Sequence, residues 1–268
     1  MKFSYETKAR LANYKKTNFP DFPDGFWRMN KKSYHHILPE DKRDHNLLPT
    51  YRKALVEYLE KKHIKLHMDF HHLNSSQAMC FNFFFPLYIE RKLELITEFL
   101  GLANETVNYD TVCFEKKGIE AQFNRRPTCF DFFFETMSGK KLHFEIKYTE
   151  EEFGKAKINS QKFDEVYSKF LRPLKPSFHD TRKFFSNYQI LRNLIHIDDN
   201  SYVIFIYPEG NDKVRSGAER VKTEFLESNY HGHFFAATWD KLFVSVSNST
   251  TNQSIQQQLS GFKEKYLL

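Results

Sequence analysis

The sequence predicts an α/β fold in which a mixed sheet is flanked by helices. Two aromatic-rich segments, 130–135 and 142–148, are joined by a Ser-Gly turn, which is typical of a β-hairpin. The near-continuous apolar run 202–207 indicates a strand buried on both faces. Helical patterns lie before, between and after these strands, so the two kinds of element alternate along the chain.

Composition narrows the class of protein. The chain has 268 residues, enough for one elaborated domain or two small ones. With 29 Phe and 14 Tyr, it is too aromatic to be disordered over most of its length. The start, MKFSYETKAR, has no apolar signal core, and the longest apolar run, near 81–89, is too short to span a bilayer. The net charge of +6 fits a polyanionic partner, but an AT-rich coding sequence also enriches Lys, Asn and Phe.

Cysteine and histidine usage predicts a reduced, cytoplasmic protein without a zinc site. Cys80, Cys113 and Cys129 are odd in number, lack paired spacing and have apolar neighbours, so we expect core thiols. The histidine pairs at 35–36 and 71–72 do not have the spacing of zinc ligands, and we expect them at the surface.

Residues 1–49 are basic and proline-rich, and they predict an irregular N-terminal arm with a short helix near 5–15. Such an arm can grip DNA, or it can serve packing and solubility. Thr50 is a candidate cap for a helix that reaches about residue 63. We place the core of the protein at 50–248, with 249–268 as a last helix packed on it.

Residues 74–101 predict a helical region before the first strand. Asn74 or Ser75 can cap its start. Pro86 either breaks the helix or opens a second one, and Gly101 is placed to end the region.

The first strand is expected over 109–115. After the hairpin, a long and partly irregular insertion occupies 160–180, and one helix is expected over 181–196. The remaining elements are a helix carrying Val214, Ala218, Val221 and Phe225, strands over 234–238 and 242–246, and a last helix carrying Ile255, Leu259, Phe262 and Tyr266.

Three of the ionisable residues on the two hairpin strands are candidates for chemistry: Asp131, Glu145 and Lys147. Acids inside strands need a partner or a metal, because burying a lone charge costs several kcal/mol. Alternation places Glu145 and Lys147 on one face. A three-residue loop, 137–139, sets Asp131 across from Glu145 with Gly139 in the left-handed position, whereas a longer loop would turn Asp131 to the other face. We predict the three-residue loop.

This trio, Asp-x13-Glu-x-Lys, resembles the active site of the PD-(D/E)XK, or restriction-endonuclease-like, nucleases. Phe130 stands where that family usually has proline. The Glu-x-Lys pattern occurs six times in the chain, and the most literal match, Asp24 with Glu40 and Lys42, lies in a Pro-rich stretch without strand alternation. Only the hairpin set has the strand–turn–strand context. The alternative is a solvated outer face of a hairpin.

The resemblance implies a restriction-endonuclease-like core that hydrolyses DNA phosphodiester bonds with Mg²⁺, for which Mn²⁺ can substitute. Asp131 and Glu145 would ligate the metal, and Lys147 would position the attacking water or neutralise developing charge. Glu115, at the end of the first strand, is the candidate third acid; a surface charge is the alternative. Double-stranded DNA is the implied substrate, and a homodimer is implied because type II enzymes that cut both strands are commonly dimers.

Two segments, 73–87 and 144–157, are similar to a group of bacterial proteins described as restriction endonucleases. Polar residues near these segments and on the helix after the hairpin are candidates to contact DNA, with helix capping, backbone bonding or a solvated face as the alternatives. These candidates are Gln77, Lys155, Lys157, Gln189, Arg192 and Asn193.

Two other functions stay open. A repair or recombination nuclease of the same fold would cut branched or damaged DNA rather than a short specific sequence. A nucleic-acid-binding module would keep the fold without catalysis, but the intact trio argues against it. RNA also stays open as a substrate, since no stacking motif decides the question.

Overall fold

A computed structural model describes residues 2–123 and 127–267. These residues divide into two compact units. The first unit comprises the residues up to Ala103 together with those from Trp239 onward, and the second unit is Asn104–Thr238. None of the described helices combines the length and the apolar character needed to cross a membrane. The predicted boundaries of arm, core and last helix stay predictions.

Helices precede, separate and follow the strands along the described residues. The α-helices are α1 (Lys2–Asn18), α2 (Arg52–Lys61), α3 (Ser76–Ile89), α4 (Glu94–Phe99), α5 (Ser160–Lys162), α6 (Thr181–Ser186), α7 (Tyr188–Leu194), α8 (Asp212–Arg220), α9 (Trp239–Ser249) and α10 (Gln253–Tyr266). The strands are β1 (Gly25–Trp27), β2 (Lys32–Tyr34), β3 (Val107–Lys117), β4 (Cys129–Thr136), β5 (Lys141–Ile146), β6 (Ser201–Tyr207) and β7 (Phe234–Thr238). Short 3₁₀ helices cover Glu40–Asn46, Ile119–Gln122, Ser168–Phe170, Pro176–Phe178 and Ser228–His233, and π-helical turns cover Phe163–Tyr167 and Val221–Phe225.

In the first unit, α3 is buried around most of its circumference, as a helix that is apolar on all sides must be. The hydroxyl of Ser75 accepts from the Ala78 N–H and caps the start, as predicted. Pro86 lies inside the helix, so the prediction that it breaks or starts one is wrong. A proline has no N–H for the carbonyl four residues earlier, and the Gln258 amide donates to that carbonyl, on Asn82, at 2.9 Å.

The second unit is built on a five-stranded mixed sheet in the order β3-β4-β5-β6-β7. The pairs β3–β4 and β4–β5 are antiparallel, and β5–β6 and β6–β7 are parallel. The sheet is flanked by helices, which confirms the predicted fold class. On one face, Val203, Phe205 and Tyr207 of β6 belong to a core that includes Phe184 of α6, Leu191 of α7 and Val214 of α8.

The hairpin loop has the predicted length. Glu135 pairs with Lys141, and the Thr136 N–H donates to the Lys140 carbonyl at 2.8 Å, which leaves three residues in the loop. Gly139 has φ +89°, the left-handed conformation that this loop requires. The register that places Asp131 next to Glu145 follows from this loop.

The helix predicted over 181–196 is two helices. The Gln189 N–H donates to the Gly154 carbonyl at 2.9 Å, and the Phe185 carbonyl accepts from Ala156 at 3.1 Å. In a continuous helix the Gln189 N–H would donate to the Phe185 carbonyl, but both groups bond to the loop after β5 instead. The chain bends at Asn187. The break places Gln189 at the start of α7.

Two further predictions about elements are wrong, and a third is confirmed with longer bounds. The expected strand over 242–246 lies in α9, where Trp239, Leu242 and Val246 are buried at helical spacing. The Thr50 cap is absent, because α2 begins at Arg52 and its preceding residue Tyr51 makes no side-chain cap. The N-terminal helix near 5–15 extends over Lys2–Asn18, and the arm also contains the β1–β2 hairpin.

The cysteine and histidine predictions hold only in part. The three cysteines are thiols and not disulfides, but Cys80 alone is buried, Cys113 is half-buried and Cys129 is exposed. His71 and His72 are buried, in contrast to the surface position expected for them. Within residues 2–123 and 127–267, no group of three His, Cys, Asp or Glu side chains is arranged to hold a metal ion.

Candidate active site

Three acidic residues are aligned across three adjacent strands of the second unit. Phe132 of β4 pairs with Phe144 of β5, so the next pair along that register is Asp131 with Glu145. On the other side of β4, the pairs that flank Asp131 set it opposite Glu115 of β3. Neighbouring strands lie about 4.8 Å apart, so the three residues form one row, which we call the carboxylate row.

Lys147 closes this row with a buried ion pair. Its Nζ lies 2.8 Å from Oε1 of Glu145, and the two side chains are 6% and 8% exposed. Burial alone would lower the pKa of the Lys147 ammonium, but Glu145 and Glu150 outweigh that effect and raise its pKa. The lysine is therefore held charged beside the carboxylates.

Gln189 of α7 fixes the same glutamate from the helix side. Its Nε2 donates to Oε1 of Glu145 at 3.2 Å, while its Oε1 accepts from the Gly154 N–H at 2.8 Å. Both described contacts of the Glu145 carboxylate fall on Oε1. Gln189 thus orients Glu145 and anchors the loop that follows β5.

The pKa of Asp131 is strongly shifted by burial and by neighbouring charges. Its Oδ2 accepts from the Ile146 N–H at 2.7 Å. Burial raises its pKa well above the usual value, and the charges of Glu145 and Glu115 raise it further; Lys147 opposes them only in part. The site therefore concentrates more negative charge than its own cation balances, which is the condition that a bound metal cation relieves.

Glu115 has an unusual backbone conformation at this point of β3. Its φ is +57°, the left-handed region, which non-glycine residues seldom adopt. Its Oε2 accepts from the Cys129 thiol at 3.2 Å. Desolvation and then the charge of Glu115 raise the pKa of that thiol, so Cys129 remains protonated and donates. Strain of this kind is found where a side chain must be aimed at a site.

The remaining candidates are scattered. Gln77 lies in the first unit at 1% exposure, where it accepts from the His67 N–H at 2.8 Å, a backbone bond of the kind given above as the alternative to a DNA contact. Lys155 and Lys157 are exposed in the loop after β5. Arg192 is half-buried on α7, with its Nε donating to the Thr128 hydroxyl at 3.1 Å. The helical pattern predicts Asn193 away from the apolar face of its helix, but it is 2% exposed.

Sequence reasoning misses two members of this neighbourhood. Cys129 is predicted as a core thiol, although it is the residue two before Asp131 on the same strand and therefore points to the same side. Glu150 is not among the predicted site residues, yet its Oε2 accepts from the Tyr148 N–H at 2.6 Å and its charge acts on Lys147. The strand alternation is a signal for Cys129, but no pattern indicates Glu150.

A family model described as Restriction Endonuclease associating with ARP matches residues 8–267. The chain belongs to this family. The match includes residues of both units, and the description of the family indicates a nuclease-like role. No curated protein and no solved structure matches the chain.

Proposed function

We propose that this member of the family is a Mg²⁺-dependent endonuclease that hydrolyses DNA phosphodiester bonds with a PD-(D/E)XK site. The observation that carries the proposal is the row of Glu115, Asp131 and Glu145 with Lys147 paired to Glu145 at 2.8 Å. The family description, which names restriction endonucleases, supports DNA as the substrate. By the same reasoning we propose a type II-like enzyme that acts on double-stranded DNA as a homodimer in the cytoplasm.

The residues present fit a magnesium ion. Asp131 and Glu145 offer hard oxygen donors. The repulsion among the charges of Asp131, Glu145 and Glu115 favours a bound cation. Mg²⁺ commonly takes only one or two carboxylates and completes its shell with water and phosphate, so a third protein ligand is not needed. When bound, Mg²⁺ stabilises charge on the phosphate and makes water more acidic; Mn²⁺ can replace it.

The protein side chains have separate tasks in this proposal. Asp131 and Glu145 hold the cation, and Gln189 keeps Glu145 in its orientation through the 3.2 Å hydrogen bond. Lys147 remains protonated, so it positions the attacking water and offsets the charge that develops on the phosphate. Glu115 adds negative charge at the far end of the row.

Cleavage of unmethylated plasmid and phage DNA tests the proposal. The protein is incubated with Mg²⁺, with EDTA, and with Mg²⁺ after Lys147→Ala. Discrete bands that need Mg²⁺ and disappear in the variant support a sequence-specific endonuclease. Smearing or nicking with the same requirements would favour a repair nuclease. Retained DNA binding without cleavage in several metals would contradict the catalytic proposal and leave a binding module.

A further inference from the structure

Two cations in the second unit share one aromatic ring, and neither has a task in the chemistry proposed above. The Lys162 Nζ lies 5.5 Å from the centroid of the Tyr188 ring. The guanidinium carbon of Arg192 lies 5.0 Å from the same centroid. All three side chains are half-buried. The arrangement concentrates two positive charges on a single platform, which we call the cation platform.

Hydroxyl groups, not carboxylates, hold the two cations in place. Lys162 Nζ donates to the Tyr188 hydroxyl at 3.0 Å, and that hydroxyl lies 2.6 Å from the hydroxyl of buried Tyr167. Arg192 is held through Nε by the Thr128 hydroxyl at 3.1 Å. Among the residues that the structure describes, neither cation has an acid within ion-pair distance.

The buried acid nearest along this network is already engaged. Glu120 Oε1 accepts from the N–H and the hydroxyl of Thr128, both at 2.5 Å, and its Oε2 lies 3.0 Å from Nε2 of His196. The charges of Lys162 and Arg192 are therefore fixed in direction but not neutralised by a partner of their own. Two cations without acidic partners among the described residues favour the binding of an anion.

The position of α7 links the cation platform to the candidate active site. Tyr188 and Arg192 are four residues apart, and Gln189 and Arg192 are three apart, so they are neighbours on the helix surface. Gln189 contacts Glu145 directly. Thr128, which holds Arg192, precedes Cys129, whose thiol contacts Glu115. The platform thus lies beside the carboxylate row and is attached to both of its ends.

We propose that Lys162 and Arg192 bind a DNA backbone phosphate next to the scissile one, with Tyr188 fixing their spacing. The inference rests on the proposed nuclease function and adds residues that position the strand. A guanidinium binds two phosphate oxygens in parallel and an ammonium binds as a point charge, so the pair suits one phosphate or two adjacent ones. These are positioning residues, since they do not touch the reacting atoms.

The test measures DNA binding without metal, so that cleavage is not required. Fluorescence anisotropy with a labelled duplex of about 30 bp gives the affinity in EDTA at salt concentrations from about 50 to about 200 mM. The variants are Lys162→Ala, the double variant Lys162→Ala/Arg192→Ala, and Lys162→Arg. Lys222→Ala is the matched control, because Lys222 is an exposed lysine of the same unit. Thermal unfolding of each variant shows that it is folded.

Each phosphate contact contributes about 0.9 to the slope of log affinity against log salt. We expect Lys162→Ala to lower the slope by about 0.9 and the double variant by about 1.8. Over a fourfold rise in salt, the wild type then loses about 12-fold more affinity than the double variant. Lys162→Arg and Lys222→Ala are expected to keep the wild-type slope, because the first retains the charge and the second lies elsewhere.

The inference is overturned if the folded Lys162→Ala and double variants keep the wild-type salt slope. It is also overturned if the slope of Lys222→Ala falls as much as theirs. This result can occur in a protein that cuts DNA normally, and the nuclease proposal would then stand alone. Conversely, the expected slopes in a protein that never cuts would support the cation platform and contradict the nuclease proposal.

Discussion

Replacing Lys147 with methionine removes the ammonium 2.8 Å from Glu145 and leaves a buried carboxylate without its cation. Removal of one partner of a buried ion pair costs about 3–5 kcal/mol, because the remaining charge stays desolvated. Gln189 continues to donate to Glu145, so we expect the lower end of that range, about 3 kcal/mol.

Urea unfolding in EDTA measures this loss, and a double-mutant cycle with Glu145→Gln separates the pair from its surroundings. The double variant has no buried charge at either position and is expected to lie within about 1 kcal/mol of the wild type. Lys213→Met is the matched control, since its ion pair with Glu151 is exposed; we expect a change of at most about 1 kcal/mol. A Lys147→Met loss as small as that of the control, or a double variant less stable than Lys147→Met, would refute the reasoning.

Three other substitutions test the electrostatics of the second unit. Asp131→Asn keeps the acceptor for the Ile146 N–H and removes a carboxyl group whose charged form is disfavoured by burial and by Glu145 and Glu115, so the metal-free protein is expected to gain about 1 kcal/mol, or about 2–4 °C in Tm. Gln189→Leu removes the amide that donates to a buried carboxylate and is expected to cost about 1.5–3 kcal/mol by urea unfolding, against little change for the exposed Gln257→Leu. Glu120→Gln is expected to reduce the loss of stability at acid pH. Burial raises the pKa of Glu120, but His196 and Thr128 outweigh that effect and hold its pKa at about 2.

The pH dependence of these variants has a definite sign. The raised pKa of Asp131 means that the native protein keeps a proton that the unfolded chain releases, so its contribution lowers stability as pH rises above about 4. The lowered pKa of Glu120 has the opposite effect: its stabilisation is present above about 4.5 and is lost as pH falls towards about 2. The first prediction is contradicted if Asp131→Asn loses stability in EDTA at neutral pH. The second is contradicted if Gln189→Leu is as stable as its control, and the third if Glu120→Gln loses stability at acid pH as steeply as the wild type.

The hairpin and the buried strand could be predicted because their signals are local. Alternation along 130–135 and 142–148, with Gly139 in the loop, determines which residues face each other. The apolar run of β6 and the helical spacing of Val214, Ala218, Val221 and Phe225 are equally direct, and all four of these side chains are buried. In each case the residues that form the sequence pattern are the same ones that pair across the hairpin or are buried in the core.

Two of the errors arise where distant residues satisfy backbone groups. Pro86 is tolerated in α3 because Gln258, far along the chain, donates to the carbonyl that proline leaves unpaired. The helix after the insertion breaks because Gly154 and Ala156 bond to its backbone. No local sequence pattern indicates these distant hydrogen-bond partners. The same limit applies to the site: loop length is enough to pair Asp131 with Glu145, but the alignment of Glu115 depends on an irregular β3–β4 register.

The most direct test of the central claim is the rate of Mg²⁺-dependent DNA cleavage in variants of the carboxylate row. Asp131→Asn, Glu145→Gln and Lys147→Met are compared with Glu135→Gln, an acid on the same strand as Asp131 that pairs across the hairpin with Lys141. We predict that each of the first three lowers the rate by at least about 10²–10³-fold, while Glu135→Gln stays within a few-fold of the wild type. Cleavage by the wild type that persists at full rate in the folded Asp131→Asn and Lys147→Met proteins would contradict the account.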